Sequence, residues 1–249
     1  MKKVRIRVQR YNPKVDVQAR YDEFEVTAER WTTVLDALLY IKAHIDHSIA
    51  LRYSCRMASC GSCGMLINGI PRLACYTKVY ELDTDTITCK PLPNFPIIRD
   101  LATDFKAFFA KHKSIRPYII NEDIDDSNAK EFIQKPEEVE EYLQFSYCIK
   151  CGLCYSACPT VATDRLFPGP QALAQMYRYL IDSRDKAIDE RLRIVDDRHG
   201  VWRCHFAGSC SSVCPKGVDP ALGIQLLRAY LLGHGKERKK IAELYIKKL

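Results

Sequence analysis

Twelve cysteines stand in this sequence of 249 residues, and eleven of them fall into runs whose spacing suits metal-bound thiolates. The first run is Cys55-Arg-Met-Ala-Ser-Cys60-Gly-Ser-Cys63, with Cys75 after eleven further residues. C-x4-C-x2-C followed by a distant fourth cysteine is the plant-type spacing for a [2Fe–2S] cluster. Gly61 and Gly64 carry no side chain, so backbone N–H groups can approach the sulphurs and tune the cluster. The gap to Cys75 is shorter than in plant ferredoxins. A zinc site or inert buried thiols are the competing readings. Structural zinc usually takes paired C-x2–4-C knuckles, and this segment does not divide into two separated pairs.

The second run is Cys148-Ile-Lys-Cys151-Gly-Leu-Cys154-Tyr-Ser-Ala-Cys158-Pro159. It reads C-x2-C-x2-C-x3-C-P, the bacterial run in which the fourth cysteine ligates the other cluster of a pair. That rule demands a partner run downstream, and Cys204-His-Phe-Ala207-Gly-Ser-Cys210-Ser-Ser-Val-Cys214-Pro215 supplies it in altered form. Superposing the two Cys-Pro ends puts Ala207 where a second cysteine would stand. A corner iron with no thiolate is easily lost. The exchange then assigns Cys148, Cys151, Cys154 and Cys214 to a [4Fe–4S] cluster, and Cys158, Cys204 and Cys210 to a [3Fe–4S] cluster. A [4Fe–4S] cluster whose fourth iron takes water or a non-cysteine ligand is the rival. Cys89 has no partner spacing and sits at a strand-like position, which reads as a buried structural thiol.

These runs need a scaffold, and the pattern around them changes along the chain. Val4, Ile6 and Val8 alternate with Arg5, Arg7 and Gln9, and Phe24 and Val26 alternate with Glu25 and Thr27, as in half-buried strands. Val34, Leu38, Ile41 and Ile45 recur at helical spacing. Asn68-Gly69 suggests a hairpin that Pro71 lengthens, and Thr86–Cys89 is a further strand. Beyond Pro91, Pro93 and Pro96, helical patterns take over from about Ile98. The acidic stretch from Asn121 to Glu141 reads as a loop leading into a short helix. Helices are expected over Pro170–Ser183 and Pro220–Leu232, each with proline near its start. The expected organisation is α+β: a small sheet with one helix over 1–105, then an all-helical region over 106–249.

The length allows one large or two modest domains. A hydrophobic fraction of 47% and a charged fraction of 28% are ordinary for a globular protein. No run approaches the ~18–20 apolar residues that span a bilayer. Met1-Lys2-Lys3-Val4-Arg5 has no apolar core of a secretory signal. An intracellular setting is therefore expected, where clustered cysteines bind metal or do redox work. The net charge of +7 gathers at Lys111-His112-Lys113 with Arg116, and at Lys236–Lys240 with Lys247 and Lys248. A solvated basic face, or docking to an acidic partner or anionic headgroups, explains it. Nucleic acid does not: interleaved aromatics and any helix-turn-helix or zinc-finger pattern are missing.

At Tyr53–Gly64, Asn94–Leu101, Cys148–Pro159 and Gly200–Pro220, the sequence closely resembles the iron–sulphur subunit of the succinate dehydrogenase / fumarate reductase family. Arg116–Ile119 and Ile181–Arg184 match as well, so the likeness covers nearly the whole chain. The resemblance implies a plant-type ferredoxin (β-grasp) domain followed by a bacterial-ferredoxin-like helical domain. It implies a partner flavoprotein subunit with covalent FAD and the dicarboxylate site, and a membrane-anchor subunit. The chain would then sit at the cytoplasmic face of the cell membrane, peripheral through the anchor, and pass electrons singly between flavin and quinone.

The resemblance also puts the [3Fe–4S] cluster nearest the quinone, which makes Pro159, His205, Phe206, Gln225 and Arg228 quinone-site candidates. His205 and Arg228 would donate hydrogen bonds or relay protons. The competing reading is structural, with Arg228 on the polar face of its helix. Ubiquinone-linked dehydrogenases of the family tend to carry tryptophan shortly after the Cys-Pro, where this chain has Thr160–Thr163. That leans toward fumarate-reductase-like or menaquinone-linked members. An iron–sulphur subunit of another flavoenzyme, or a free-standing ferredoxin-type carrier, is the alternative function.

Overall fold

The computed structural model describes residues 1–122 and 131–233. In chain order its elements are β1 (Lys2–Arg10), β2 (Arg20–Ala28), α1 (Val34–His44), β3 (Gly64–Ile67), β4 (Ile70–Leu73), β5 (Thr86–Lys90), β6 (Ile97–Arg99) and β7 (Ala102–Thr103). Helices follow: α2 (Lys106–Ser114), α3 (Pro136–Ser146), α4 (Leu153–Ser156), α5 (Pro159–Thr163), α6 (Pro170–Leu180), α7 (Ile188–Val195), α8 (Ser209–Ser212) and α9 (Pro220–Leu231). Two compact units form. The first comprises Met1–Ala110 with Cys148–Cys158 and Ser209–Gly217, and the second comprises Lys111–Tyr147, Pro159–Gly208 and the chain from Val218.

In the first unit a mixed sheet runs in the order β2-β1-β5-β3-β4. The alternation of β1 buries Val4, Ile6 and Val8 and leaves Arg5 and Arg7 outside. β1 pairs antiparallel with β2 and parallel with β5, setting Ile6 beside Ile87 and Val8 beside Cys89. Against the sheet, α1 buries Val34, Leu35, Leu38 and Ile41. It starts at a capping box in which Asp36 N–H donates to Thr33 Oγ1 (3.1 Å) and Thr33 N–H donates to Asp36 Oδ2 (3.0 Å). The helix stops at His44, so Ile45 is its exposed C-cap rather than a core residue. Asn68 and Gly69 take φ of 48° and 82°, as a two-residue type I′ turn requires. Pro71 does not lengthen that turn. It pairs with Leu66 inside β4, an edge strand where a missing N–H is tolerated.

Helix does not begin near Ile98. Asp100 adopts φ of 47° and reverses the chain between β6 and β7. Its carboxylate accepts from Tyr11 N–H (3.0 Å) and Ala50 N–H (2.9 Å). Nearby, the buried Arg10 donates to Asp22 (2.9 Å), Asp46 (2.5 Å) and Ser48 Oγ (2.7 Å). The segment at Cys148–Cys158 is seated on an aromatic group: Phe95 lies 4.4 Å from Phe105 and 5.1 Å from Tyr155.

In the second unit α6 is buried almost throughout and packs on α9. Close approach requires Gly223: a Cβ there would stand 3.0 Å from Phe145 and 3.3 Å from the Ala174 Cα. Gln175 Nε2 donates to the Phe145 carbonyl at 2.7 Å. Prolines open α3, α6 and α9, as their fixed φ favours. α6 ends at Leu180, short of Ser183, because Asp182 takes up Arg184 Nε (2.8 Å) and the Arg184 amide (3.2 Å) in a tight turn. Arg191 is wholly buried and pairs with Asp185, and it also donates to the carbonyls of Ile115, Arg116 and Tyr118. The basic run is not a uniformly solvated face. Lys111 donates to the Phe167 carbonyl (2.7 Å), His112 meets Gln171 (3.2 Å) and Arg116 pairs with Glu190. Lys236–Lys240, Lys247 and Lys248 lie outside the described residues, as does part of the acidic stretch after Asn121.

Candidate metal centres

The first cysteine run lies in the loop between α1 and β3, and the chain anchors that loop at its entry. Leu101 N–H donates to the Ala50 carbonyl (3.1 Å), and Arg52 donates to the Thr103 carbonyl (3.2 Å) with its guanidinium over Phe105. Arg56, Ala58 and Gly61 adopt left-handed φ of 58°, 55° and 73°. For a non-glycine residue that conformation costs roughly 1–2 kcal/mol. Its effect is to turn successive amides inward, the nest arrangement found at many Fe–S sites.

Those amides point at sulphur. Cys55 Sγ accepts from Met57 (3.4 Å), Ser59 (3.3 Å) and Cys60 (3.2 Å), and Cys60 Sγ accepts from Cys55 (3.4 Å) and Ser62 (3.5 Å). Cys75, in a single helical turn after β4, is drawn in by the Ala58 amide (3.3 Å), and its own amide donates to Cys63 Sγ (3.5 Å). Burial opposes ionisation of Cys60, yet hydrogen bonds from the Ser62 hydroxyl and the Cys55 and Ser62 amides bring it down to about 6. Burial pushes Cys63 up to about 12, and the nearby Cys75 and Cys60 thiols add to it. Thiols so placed ionise together only beside a cation, and a metal deprotonates a coordinating thiol outright. The donor set fits a small iron–sulphur cluster.

The second set gathers in the same way. Burial together with Cys148 and Cys214 pushes Cys151 up to about 12. Cys154 is raised well above its usual range by burial and by the thiols of Cys151, Cys148, Cys210 and Cys214. Cys214, far along the chain, thus stands among the thiols of the earlier run. The structure also brings Cys210 close to Cys154. Of the remaining ligand candidates, Cys158 and Cys210 belong to the first unit and Cys204 to the second. Cys204 Sγ accepts from the Phe206 amide at 3.4 Å. Among the described residues no three His, Cys, Asp or Glu side chains converge as a single ion would need. A multi-iron cluster makes no such demand, since bridging sulphides complete each iron's shell and each iron needs only one or two of the thiolates.

The two runs share one backbone. Lys150 and Gly152 are left-handed at φ of 55° and 77°, and Phe206 and Gly208 repeat this at 56° and 73°. Each position lies at the same offset from the first cysteine of its run. A short helix then begins five residues after that cysteine in both, α4 at Leu153 and α8 at Ser209. Ala207 occupies the conformational place of Cys151.

The quinone candidates divide by surroundings. Pro159, at the start of α5, and His205 and Phe206 are exposed. Arg228 is committed to its own fold: it donates to the carbonyls of Val201 (2.7 Å) and Cys204 (2.7 Å) and lies over Trp202. Gln225 Oε1 lies 3.4 Å from Arg228 Nη1, while its buried Nε2 finds no acceptor among the described residues. Two positioning devices escaped the sequence reading. Asn94, with φ of 67°, donates to the carbonyls of Tyr155 (3.1 Å), Ser156 (3.0 Å) and Cys158 (3.3 Å). Asp164 accepts from His199 Nδ1 (2.7 Å) and Arg203 Nε (3.1 Å), which pins the turn before Cys204. The His199 hydrogen bond, with the Leu166 amide and Arg203, holds Asp164 down to about 2. Asparagine after proline was the signal for the first, and none marked the second.

No helix among the described residues is long and apolar enough to cross a membrane. Residues 5–110 match the family model described as a 2Fe-2S iron-sulfur cluster binding domain, and residues 144–218 match a 4Fe-4S dicluster domain. The chain is 41% identical over 238 residues to a fumarate reductase iron-sulfur subunit of Mycobacterium tuberculosis, covering 96% of each. It is 46% identical to one from Escherichia coli O6:H1, over 90% of this chain and 91% of that one. A succinate dehydrogenase iron-sulfur subunit of Coxiella burnetii is 39% identical, over 90% and 95%. Among solved structures, the Mycobacterium smegmatis Sdh1 complex in the apo form contains a chain that matches with a TM-score of 0.82 at 25% identity, covering 92% of this chain and 95% of that one. With a β-grasp sheet, two echoing cysteine runs and relatives matched over 90% or more of its length, the chain belongs to the family of iron–sulphur subunits of fumarate reductase and succinate dehydrogenase.

Proposed function

We propose that this chain passes electrons one at a time between FAD in a partner flavoprotein subunit, where succinate and fumarate interconvert, and a quinone at a membrane-anchor subunit. Cys55, Cys60, Cys63 and Cys75 hold a [2Fe–2S] cluster. Cys148, Cys151, Cys154 and Cys214 hold a [4Fe–4S] cluster, and Cys158, Cys204 and Cys210 a [3Fe–4S] cluster. The division into 1–105 and 106–249 belongs to this reading, supported by the spans of the two matched family models. So does a place at the cytoplasmic face of the membrane, reached through the anchor. When bound, such clusters supply reversible one-electron chemistry with no proton or group transfer.

The observation that carries the reading is Cys214 standing among Cys148, Cys151 and Cys154. Ligand exchange between two runs requires that gathering, and a pair of independent zinc knuckles does not. The chain's own contribution is ligation, burial and amide hydrogen bonds to sulphur. Ala207 offers a methyl where a fourth thiolate would bind, which supports the three-iron assignment. At the quinone end, Pro159, His205 and Phe206 present an exposed surface, and Gln225 Nε2 is a donor with an open partner. Arg228 acts by holding the Val201–Cys204 turn.

Purification of the native complex tests this, with iron and labile sulphide counts, redox-titrated electron paramagnetic resonance and activity in both directions. Three distinct centres and succinate:quinone or quinol:fumarate turnover are expected. Zinc without iron, or no turnover after reconstitution with flavoprotein and anchor, would sink the proposal.

A further inference from the structure

Two glycines that follow [2Fe–2S] ligands lie against one [4Fe–4S] ligand. A Cβ on Gly61 would stand 2.8 Å from both Cα and Cβ of Cys151 and 3.3 Å from its amide nitrogen. A Cβ on Gly64 would stand 3.4 Å from the Cys151 carbonyl oxygen, 3.2 Å from Leu153 and 3.3 Å from Leu92. Gly61 follows Cys60 and Gly64 follows Cys63 in the chain, and all four belong to the first unit with Cys151. Real Cβ atoms essentially never come as close as 2.8 Å, and here the obstacle is backbone rather than the end of a flexible side chain. Only glycine lets the two segments meet at this separation.

Resting on the ligand sets proposed above, we propose that Gly61, seconded by Gly64, forms the electron bridge between the first two centres. From Cys60 Sγ the route runs through covalent bonds to Gly61, crosses one van der Waals gap to Cys151, and continues through covalent bonds to Cys151 Sγ. In each passage the centre held by Cys55, Cys60, Cys63 and Cys75 is oxidised by one electron and that held by Cys148, Cys151, Cys154 and Cys214 is reduced by one, or the reverse. No bond forms or breaks and no proton moves. Transfer through a gap falls steeply with its width, so the gap at Gly61 is the step of this route most sensitive to packing. Gly61 and Gly64 are positioning residues: they touch a ligand, not an iron.

The test compares whole complexes carrying Gly61→Ala, Gly64→Ala or Gly69→Ala. Gly69 is the control, left-handed at φ of 82° like Gly61 at 73°, with nothing within 4 Å of the place a methyl would take. It therefore reports backbone strain without crowding. Two readouts apply: enhancement of [2Fe–2S] spin relaxation by the reduced [4Fe–4S] centre, and the rate of inter-cluster transfer by rapid freeze-quench. Gly61→Ala should weaken the enhancement and slow transfer several-fold with both clusters at full content. Gly64→Ala should do so less, and Gly69→Ala not at all. A fully loaded Gly61→Ala complex with unchanged relaxation and rate overturns the proposal. Should that variant assemble no [2Fe–2S] cluster, Gly64→Ala decides, and its indifference overturns the bridge equally. If the cluster assignments themselves were wrong, cluster content and spectra of the unaltered complex would reveal it before any variant is made.

Discussion

Asn94 ties down the segment ending at Cys158 through its side-chain amide. Its amide spreads two N–H groups over three carbonyls, those of Tyr155, Ser156 and Cys158, at 3.0–3.3 Å. The carbonyls of Tyr155 and Ser156 lie in the last turn of α4 and that of Cys158 just beyond it, where a helix end leaves backbone acceptors in want of partners; Tyr155 also accepts from the Cys158 amide (3.4 Å). Two donors amount to two net bonds of about 1 kcal/mol each. Asn94→Gly keeps the left-handed backbone and should cost about 2 kcal/mol, a fall of roughly 4–8 °C in unfolding midpoint for a chain of this size. Asn94→Ala adds left-handed strain of about 1 kcal/mol. Asn94→Asp should be worst, because a carboxylate faces three carbonyl oxygens with no hydrogen to offer. Scanning calorimetry measures the midpoints, and paramagnetic resonance of the same samples counts the centres. The three-iron signal should fade first in Asn94→Asp, since Cys158 is its ligand in the proposed set. An Asn94→Asp complex with all three centres and an unshifted midpoint would refute the reasoning.

Three further outcomes are expected. Ala207→Cys should convert the three-iron centre toward [4Fe–4S], seen as loss of its oxidised paramagnetic signal; an unchanged signal would mean that the two runs do not superpose as their backbones indicate. Cys89 is a neutral buried thiol pushed up to about 12 by desolvation. Its raised folded value leaves its contribution intact below the unfolded value near 9 and removes it as pH rises toward 12. Midpoints measured from about pH 8 to 11 should therefore fall more steeply in the native chain than in Cys89→Ala, and parallel slopes would contradict the assignment. Arg191→Met strands the buried Asp185 carboxylate and three carbonyls, so a loss of about 3–5 kcal/mol is expected in denaturant titration; a loss below about 1 kcal/mol would show that Asp185 finds another partner.

Much of this protein is written in local pattern. Alternation in β1, the Asn68-Gly69 turn and the prolines opening α6 and α9 act over a few residues, and the structure carries them as expected. Cysteine spacing is local too, which is why the runs and the missing cysteine at Ala207 could be read directly. Local pattern misled where a single backbone conformation overrode it. Asp100 turned an expected helix start into a hairpin because its carboxylate is satisfied by Tyr11 and Ala50, both distant in the chain. Pro71 stayed within a strand because its edge of the sheet is open, a fact that only the strand order supplies.

The chemistry is legible from residue order alone: thiolates at intervals that suit iron–sulphur clusters, and one position in the repeat without a thiol. Folding chooses the company each thiol keeps. Cys214 joins Cys154, Asn94 holds the Cys158 segment, and Gly61 meets Cys151, all across separations that no periodicity encodes. The physical reason is that ligation is a local property of side-chain type and spacing, whereas proximity between distant segments depends on packing. Here that packing turns on two absent side chains, at Gly61 and Gly64.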